Sequence, residues 1–352
     1  RLNNGSGVFS VPPVVANGTI AIANGPTTIV AADLDGDGDV DFATGNFNGN
    51  NVTPRFNNGT PAPDLLISTT GQSISAGTYN SITITGTGAA TLQGAVTVNS
   101  AVTVQNGGSL STNCQPLTGA ATFTLAAGAT LIICDPAGIT ASGASGAVQT
   151  TNTRSFSNDA IYSYSGSSAQ VTGSGLPSQV RELVVNNPAG LTLSAPLAVA
   201  QRLRLTSTSG NFALNGQALT LLSNASGTAL VTNEGAAVVS GTATVQRYID
   251  PSLNAGLGYR HYSSPVQSTT VADLATANFS PVVNPAYNTV GNTVTPFPTV
   301  FGFDEARITS TSAATQSFDN GYFSPASLST PLTVGRGYTV NLAASEKVDL
   351  VG

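Results

Sequence analysis

The sequence predicts an all-β chain in three parts: a short N-terminal repeat over residues 1–64, a β-solenoid (parallel β-helix-like) middle over 65–245, and an antiparallel β-sandwich-like unit over 246–352. Three observations carry this prediction. Apolar residues recur in pairs at a spacing of two, as strands with one buried face require. Glycine- or asparagine-rich corners interrupt those pairs every few residues. Hydrophobic residues make up 40% of the chain, charged residues only 8%, with many β-branched residues among the former, which argues for packed strands over disorder.

The N-terminal part is organised around Asp33-Leu34-Asp35-Gly36-Asp37-Gly38-Asp39-Val40-Asp41, which holds five of the 17 acidic residues. Carboxylates so crowded repel one another unless a cation sits among them. The spacing D-x-D-x-D-G-x-x-D matches the first nine positions of a calcium loop. Asp33, Asp35 and Asp37 would give side-chain oxygens, Asp39 its backbone carbonyl, and Asp41 would close the site directly or through water. Gly38 permits the sharp turn. The twelfth position, Glu in a helix-loop-helix site, is Thr44, and the flanks Thr28–Ala32 and Val40–Ala43 read as strands. The expected form is therefore a β-hairpin clamped by Ca2+.

Arg1-Leu2-Asn3-Asn4-Gly5 recurs as Arg55-Phe56-Asn57-Asn58-Gly59, an internal repeat whose period is expected to hold four short strands, as in a propeller blade. Leu2-Asn3-Asn4-Gly5 with Phe9, then Gly25-Pro26 with Ile29, then the aspartate loop and Arg55–Gly59, resembles the FG-GAP/VCBS repeat family. That resemblance implies a calcium-bound propeller blade of the kind found in integrin-like and bacterial surface proteins. It covers residues 1 to about 60 and a single, partial repeat.

Thr60-Pro61-Ala62-Pro63-Asp64 marks a boundary. Beyond it come Ile82/Ile84, Val96/Val98, Val102/Val104, Phe123/Leu125 and Leu131/Ile133, separated by Gly86-Thr87-Gly88 and Asn106-Gly107-Gly108. Strands this short, with corners this frequent, suit a coil in which each rung stacks inward side chains on the one below. The pattern continues through Leu183/Val185, Leu191/Leu193, Leu203/Leu205 and Leu219/Leu221. Cys114 and Cys134 recur at about one rung's length. A disulfide between rungs and two buried free thiols are both open, and a zinc site is not, for want of clustered histidines. Arg154 to Gly166, Ala169 to Pro177 and Leu183 to Asn187 resemble a module repeated in large secreted Bacteroidetes proteins, which implies export by a type IX route.

From Gln246 aromatic residues and prolines become frequent: Tyr259, Tyr262, Phe279, Phe297, Phe301, Phe303, Phe318, Tyr322, Phe323 and Tyr338. They predict a unit with a core of its own. Arg260–Val266 and Val334–Val340 read as strands, and Thr270–Ala275 as one helical turn with Val271, Leu274 and Ala275 on one side. The run Val348–Gly352 has no visible closing pattern, so the sandwich is expected either to be incomplete or to be completed by residues outside the chain.

Composition excludes several functions. The net charge is −6 and the 11 basic residues are scattered, so no patch exists to neutralise phosphates. No apolar run approaches the roughly 20 residues of a membrane helix. The chain opens in mid-pattern at Arg1, as a processed piece of something longer would. The coil's acids, Asp135, Asp159, Glu182 and Glu234, show no paired-acid pattern and read as solvated surface. Asp304 and Glu305 with Arg307 read as a turn ion pair, and the sole histidine, His261, as a core or edge residue. No catalytic residue is expected. Scarce lysine, the calcium loop and the Asn/Thr/Ser-rich surface point outside the cell. The expected role is an extracellular stalk, adhesin or filament subunit stiffened by calcium, associating with itself or with neighbouring domains of a longer chain. Two alternatives are a monomeric carbohydrate-binding module, meeting cell-surface glycans on an aromatic face of residues 246–352, and, less favoured, a carbohydrate-active enzyme on the coil.

Overall fold

A computed structural model describes residues 25–34, 40–55, 62–252, 254–308 and 318–352. It is all-β, with 42% strand against 4% helix. The chain divides into two compact units, Arg1–Asp64 and Leu65–Gly352.

In the first unit three strands, Pro26–Ala32, Asp41–Asn46 and Asn51–Arg55, form an antiparallel meander. Ala32 faces Asp41 in the last described pair, so the aspartate loop is the connection of the first hairpin. The second turn is pinned by the buried Asn46, whose Nδ2 donates to Asn51 Oδ1 (2.9 Å) and Thr53 Oγ1 (2.6 Å). Any fourth strand of the period falls in residues 1–24, outside the described residues.

The second unit begins with a β-solenoid of about nine turns. Each turn contributes short strands that pair in parallel with those of the turns before and after. In one sheet the column Ile67, Ile84, Val104, Leu125, Phe156 rises through successive strands in register. In another the column is Leu110, Leu131, Tyr162, Leu183, Leu203, Val231. These are the inward positions of strands whose alternate residues face out, and all but Phe156 and Val231 are buried. Each buried aliphatic side chain contributes roughly 1.5–3 kcal/mol. Tyr162 and Tyr164 sit fully inside the coil because their hydroxyls are satisfied, donating at 2.7 Å to the carbonyls of Ser157 and Thr172. Burial pushes both phenols well above their ordinary value.

Corners are polar or glycine. Gly107 has φ +80°, and a Cβ there would lie 2.3 Å from the Gly86 carbonyl one rung below. Rungs therefore stack too closely at this corner for any side chain. Farther up, Gln170 and Asn187 are buried at another corner. Gln170 Nε2 donates to the carbonyls of Ile133 (3.1 Å) and Asp135 (3.0 Å), and its Oε1 accepts from Asn187 Nδ2 (2.8 Å). Longer turns leave the columns in register and loop outward. The loop before Arg154–Phe156 is held by Arg154, whose guanidinium donates to the carbonyls of Thr150, Thr140 and Gly143.

Cys114 and Cys134 are bonded, with Cα atoms 4.8 Å apart, and no free cysteine remains. That distance is one strand spacing, so the bridge ties the turn after Ser109–Ser111 to the turn after Thr130–Ile133.

Residues beyond the coil have a second hydrophobic cluster, including Ile249, Val271, Leu274, Val300, Val340, Leu342, Val348 and Leu350. Four strands make an antiparallel sheet in the order Gly258–Ser263, Gly337–Leu342, Val300–Phe303, Tyr322–Phe323. Val271–Leu274 is a 3-10 turn with Val271 and Leu274 buried. One expectation is corrected. The C-terminal run is not left unpaired: Lys347–Val351 lies antiparallel to Ala243–Tyr248, the coil's last strand in that sheet. The edge of a parallel coil carries unpaired amides, and Val348 and Leu350 alternate inward to continue the buried layer as the strand covers it.

Replacing both Cys114 and Cys134 by serine is expected to cost about 3 kcal/mol, the loop-closure value for a crosslink of this sequence separation. Denaturant melts of oxidised wild type and the double variant, at equal m-value, check it.

Candidate metal loop and binding cleft

Of the five aspartates in the N-terminal loop, Asp33 and Asp41 fall among the described residues, and Asp35, Asp37 and Asp39 lie outside them. Asp41 ends its strand fully buried, and its Oδ2 accepts the Leu34 amide at 2.7 Å. The stem thus brings the first and last acids of the motif to the same end of the hairpin. Among the described residues alone, no group of three candidate ligands assembles.

The coil's acids do not converge. Glu182 takes a bidentate bond from Arg202 on the next rung, 2.9 Å to each oxygen, and Glu234 pairs with Arg204 at 2.6 Å. Asp159 is 3.9 Å from Arg181, and Asp135 accepts the Ala137 amide at 2.8 Å as a turn residue. The solvated-surface expectation fails for Glu182, which is buried. The pairing shifts by one residue between Val180 and Glu182, the extra residue lying in the strand Leu197–Leu205, and this sets Arg202 opposite Glu182 as its counter-charge. Arg307 also departs from expectation. It donates to the carbonyls of Asn320 (3.1 Å) and Asn288 (2.8 Å), while Asp304 Oδ1 accepts the Ala306 amide (3.0 Å).

The C-terminal sheet carries a cleft of about 440 Å³. His261, Thr339 and Phe301 lie in one row across three adjacent strands, and His261 Nδ1 is 3.1 Å from Thr339 Oγ1. Phe301, 5% exposed, is the hub. Tyr287 meets it at 5.3 Å and 68°, Tyr259 at 6.2 Å and 63°, and Tyr322 at 6.3 Å and 82°. Phe297 closes against Tyr287 at 5.7 Å and 88°. These edge-to-face contacts fix the rings while Tyr259 and Phe297 keep much of their surface in solvent. Asp319 and Asn292 supply polar groups, and a second lobe of about 370 Å³ continues past Asn288 and Arg307. The Tyr287 hydroxyl is pushed above its ordinary value, first by burial and next by the charge of Asp319.

Two devices hold the walls. Asn288 Nδ2 donates to the Ser324 carbonyl (3.1 Å) while its Oδ1 accepts the Ser324 amide (2.8 Å), tying the helix Tyr287–Val290 to the strand Tyr322–Phe323. Arg307 ties the same helix to the turn that bears Asp319. A larger hollow of about 840 Å³ lies at the coil's last turn, walled by the aliphatic Leu203, Leu221, Val231 and Val245 together with Arg247, Gln267 and Ser268, and none of its described lining residues is aromatic.

Sequence reading placed Tyr259, Phe297, Phe301 and Tyr322 in the C-terminal core and did not single out Tyr287, Asn292 or Asp319. The usable signal was Tyr259 and His261 at spacing two, which puts an aromatic ring and an imidazole on one strand face. No family model, no curated protein and no solved structure matches the chain.

Asn288→Ala removes both bonds to Ser324 and is expected to lower local stability by about 1–3 kcal/mol. Amide hydrogen exchange at Ser324 should accelerate while exchange in the coil strands stays unchanged.

Proposed function

We propose that this chain is an extracellular, non-enzymatic adhesive module, in which the coil is a stiff spacer and the cleft on the C-terminal sheet binds glycan. The single observation that carries the reading is the cleft: exposed rings around a buried aromatic hub, with an amide, a hydroxyl, an imidazole and a carboxylate at its edge. Flat apolar surface flanked by donors and acceptors matches a sugar, whose ring has an apolar C–H face and a hydroxyl rim. The engagement of each coil acid with an arginine or a turn amide supports a coil without catalytic work. A disulfide between rungs fits an oxidising compartment.

The C-terminal part reads as sandwich-like, since Val300, Val340 and Leu342 share one cluster with Val348 and Leu350 of the covering strand. The N-terminal meander reads as a partial FG-GAP/VCBS-type repeat holding Ca2+ through Asp33, Asp35, Asp37, the Asp39 carbonyl and Asp41, the buried acid at the loop's base being in keeping with that role. Calcium there is structural: it neutralises five crowded carboxylates and fixes the hairpin connection. The meander exposes Ile29, Val30, Phe47 and Val52, which suits packing against a neighbouring repeat of a longer chain. Assembly into filaments through the C-terminal strand has less support, because that strand is already paired.

Glycan-array binding followed by calorimetry tests the adhesive reading. Tyr259→Ala and Phe297→Ala should each weaken the best glycan about three- to tenfold, in line with the roughly 0.5–1.5 kcal/mol of a well-placed aromatic contact; no glycan binding by the intact chain rejects it. Calcium is tested separately. Titration should give a dissociation constant of about 10⁻⁴ to 10⁻³ M, lost in Asp35→Asn/Asp37→Asn. An unchanged calcium isotherm in that variant would remove the loop from the site.

A further inference from the structure

We infer that the saccharide bound in the aromatic cleft carries a free, protonated amine. This rests on the glycan reading above and narrows it to one chemical class. Three observations on different scales point the same way.

The first is the charge of the lining. Asp319 borders both lobes of the cleft. Arg307 borders the second lobe, and its guanidinium is engaged by the carbonyls of Asn288 and Asn320. The cleft thus offers a carboxylate and holds back its arginine, the reverse of what a uronic acid or a sulfated sugar requires. An acidic saccharide would lose its hydration and meet a like charge.

The second is the arrangement of the rings. Tyr259, Tyr287 and Tyr322 surround the Phe301 hub at steep angles to it, between 63° and 82°. Five rings, Tyr259, Tyr287, Phe297, Phe301 and Tyr322, line the cleft, and the negative face of an aromatic ring attracts a cation within about 6 Å of its centroid. Asp319 lies near enough to this ring wall for its charge to raise the Tyr287 hydroxyl, after burial, against an opposing effect of Arg307.

The third is the charge of the unit that bears the cleft. Over Leu65–Gly352 there are 11 acidic against nine basic residues, a small negative excess that gives an anionic ligand no long-range attraction. The amine donates to Asp319, a charge-assisted bond, while the sugar ring lies against Tyr259 and Phe297 and the hydroxyl rim meets Asn292 and the Thr339 hydroxyl.

Calorimetry on the intact chain decides the matter with three probes of equal length: a glucosamine oligomer, the corresponding N-acetylglucosamine oligomer and a neutral glucan. Acetylation removes the charge and leaves the backbone of the sugar the same. Wild type should bind the glucosamine oligomer about tenfold more tightly than its acetylated counterpart, the size of one charge-assisted hydrogen bond. Asp319→Asn should bring the two within about twofold, and Asp319→Glu should keep the preference. Asp319 is exposed in a turn, and circular dichroism confirms that each variant is folded. Equal binding of the charged and acetylated oligomers, with Tyr259→Ala weakening both, overturns the amine assignment and leaves the glycan reading standing. A preference that survives Asp319→Asn overturns the assignment to this cleft. Failure of all three probes, and of a wider glycan panel, overturns both.

Discussion

Rung-on-rung pairing is the constraint on which the second unit depends. In a parallel coil each backbone amide must find its acceptor on the adjacent turn, about 4.8 Å away, and each inward side chain must sit on the one below. Everything else accommodates that spacing. Corners take glycine where a Cβ would strike the carbonyl of the previous turn, as at Gly107 over Gly86. A disulfide fits between turns because its Cα spacing and the strand spacing coincide at 4.8 Å. Extra residues can only leave sideways: Leu131 still stacks under Tyr162 although the intervening turn is lengthened by the Arg154-clamped loop.

The same constraint explains how a chain with so little charge places what it has. An outward position in the coil neighbours the same position one turn up and one turn down, so charges meet vertically and not along the strand. Arg202 thus reaches Glu182, and Arg204 reaches Glu234, while sequence neighbours such as Arg181 and Glu182 do not pair. Glu182 tolerates burial because the bidentate arginine above it compensates both oxygens. Other outer ladders are built from hydroxyls, as where Thr97 and Thr118 stand 3.2 Å apart on consecutive turns.

What could be read from the sequence follows from which contacts are local. Spacing-two pairs are a property of single strands, so Ile82/Ile84 or Leu203/Leu205 identify themselves. The hairpin around the aspartate loop is likewise local, with Ala32 facing Asp41 across it. Contacts that depend on the length of a turn are not legible. The partner of Glu182 is fixed by how many residues separate two rungs, and the partner of Lys347–Val351 by where the chain stands after the whole C-terminal excursion. The cleft is the extreme case. Tyr259, Tyr287, Phe301 and Tyr322 come from four segments that meet only once the antiparallel sheet has formed, and Tyr287 stands in a short helix that periodicity does not mark.

That division also accounts for where the aromatic cleft lies. About nine turns at roughly 4.8 Å give a coil of about 40 Å. Its outer faces are shallow ladders, and its interior is filled except for the hollow at its last turn. The C-terminal part is the opposite. Residues between Ala275 and Thr299 form few strands and stand as a wall against the sheet, held there by Asn288 and Arg307. Regular stacking maximises length per residue and suppresses pockets; irregular segments braced on a sheet create them. The aromatic cleft lies on the side of that boundary where the rung constraint no longer applies.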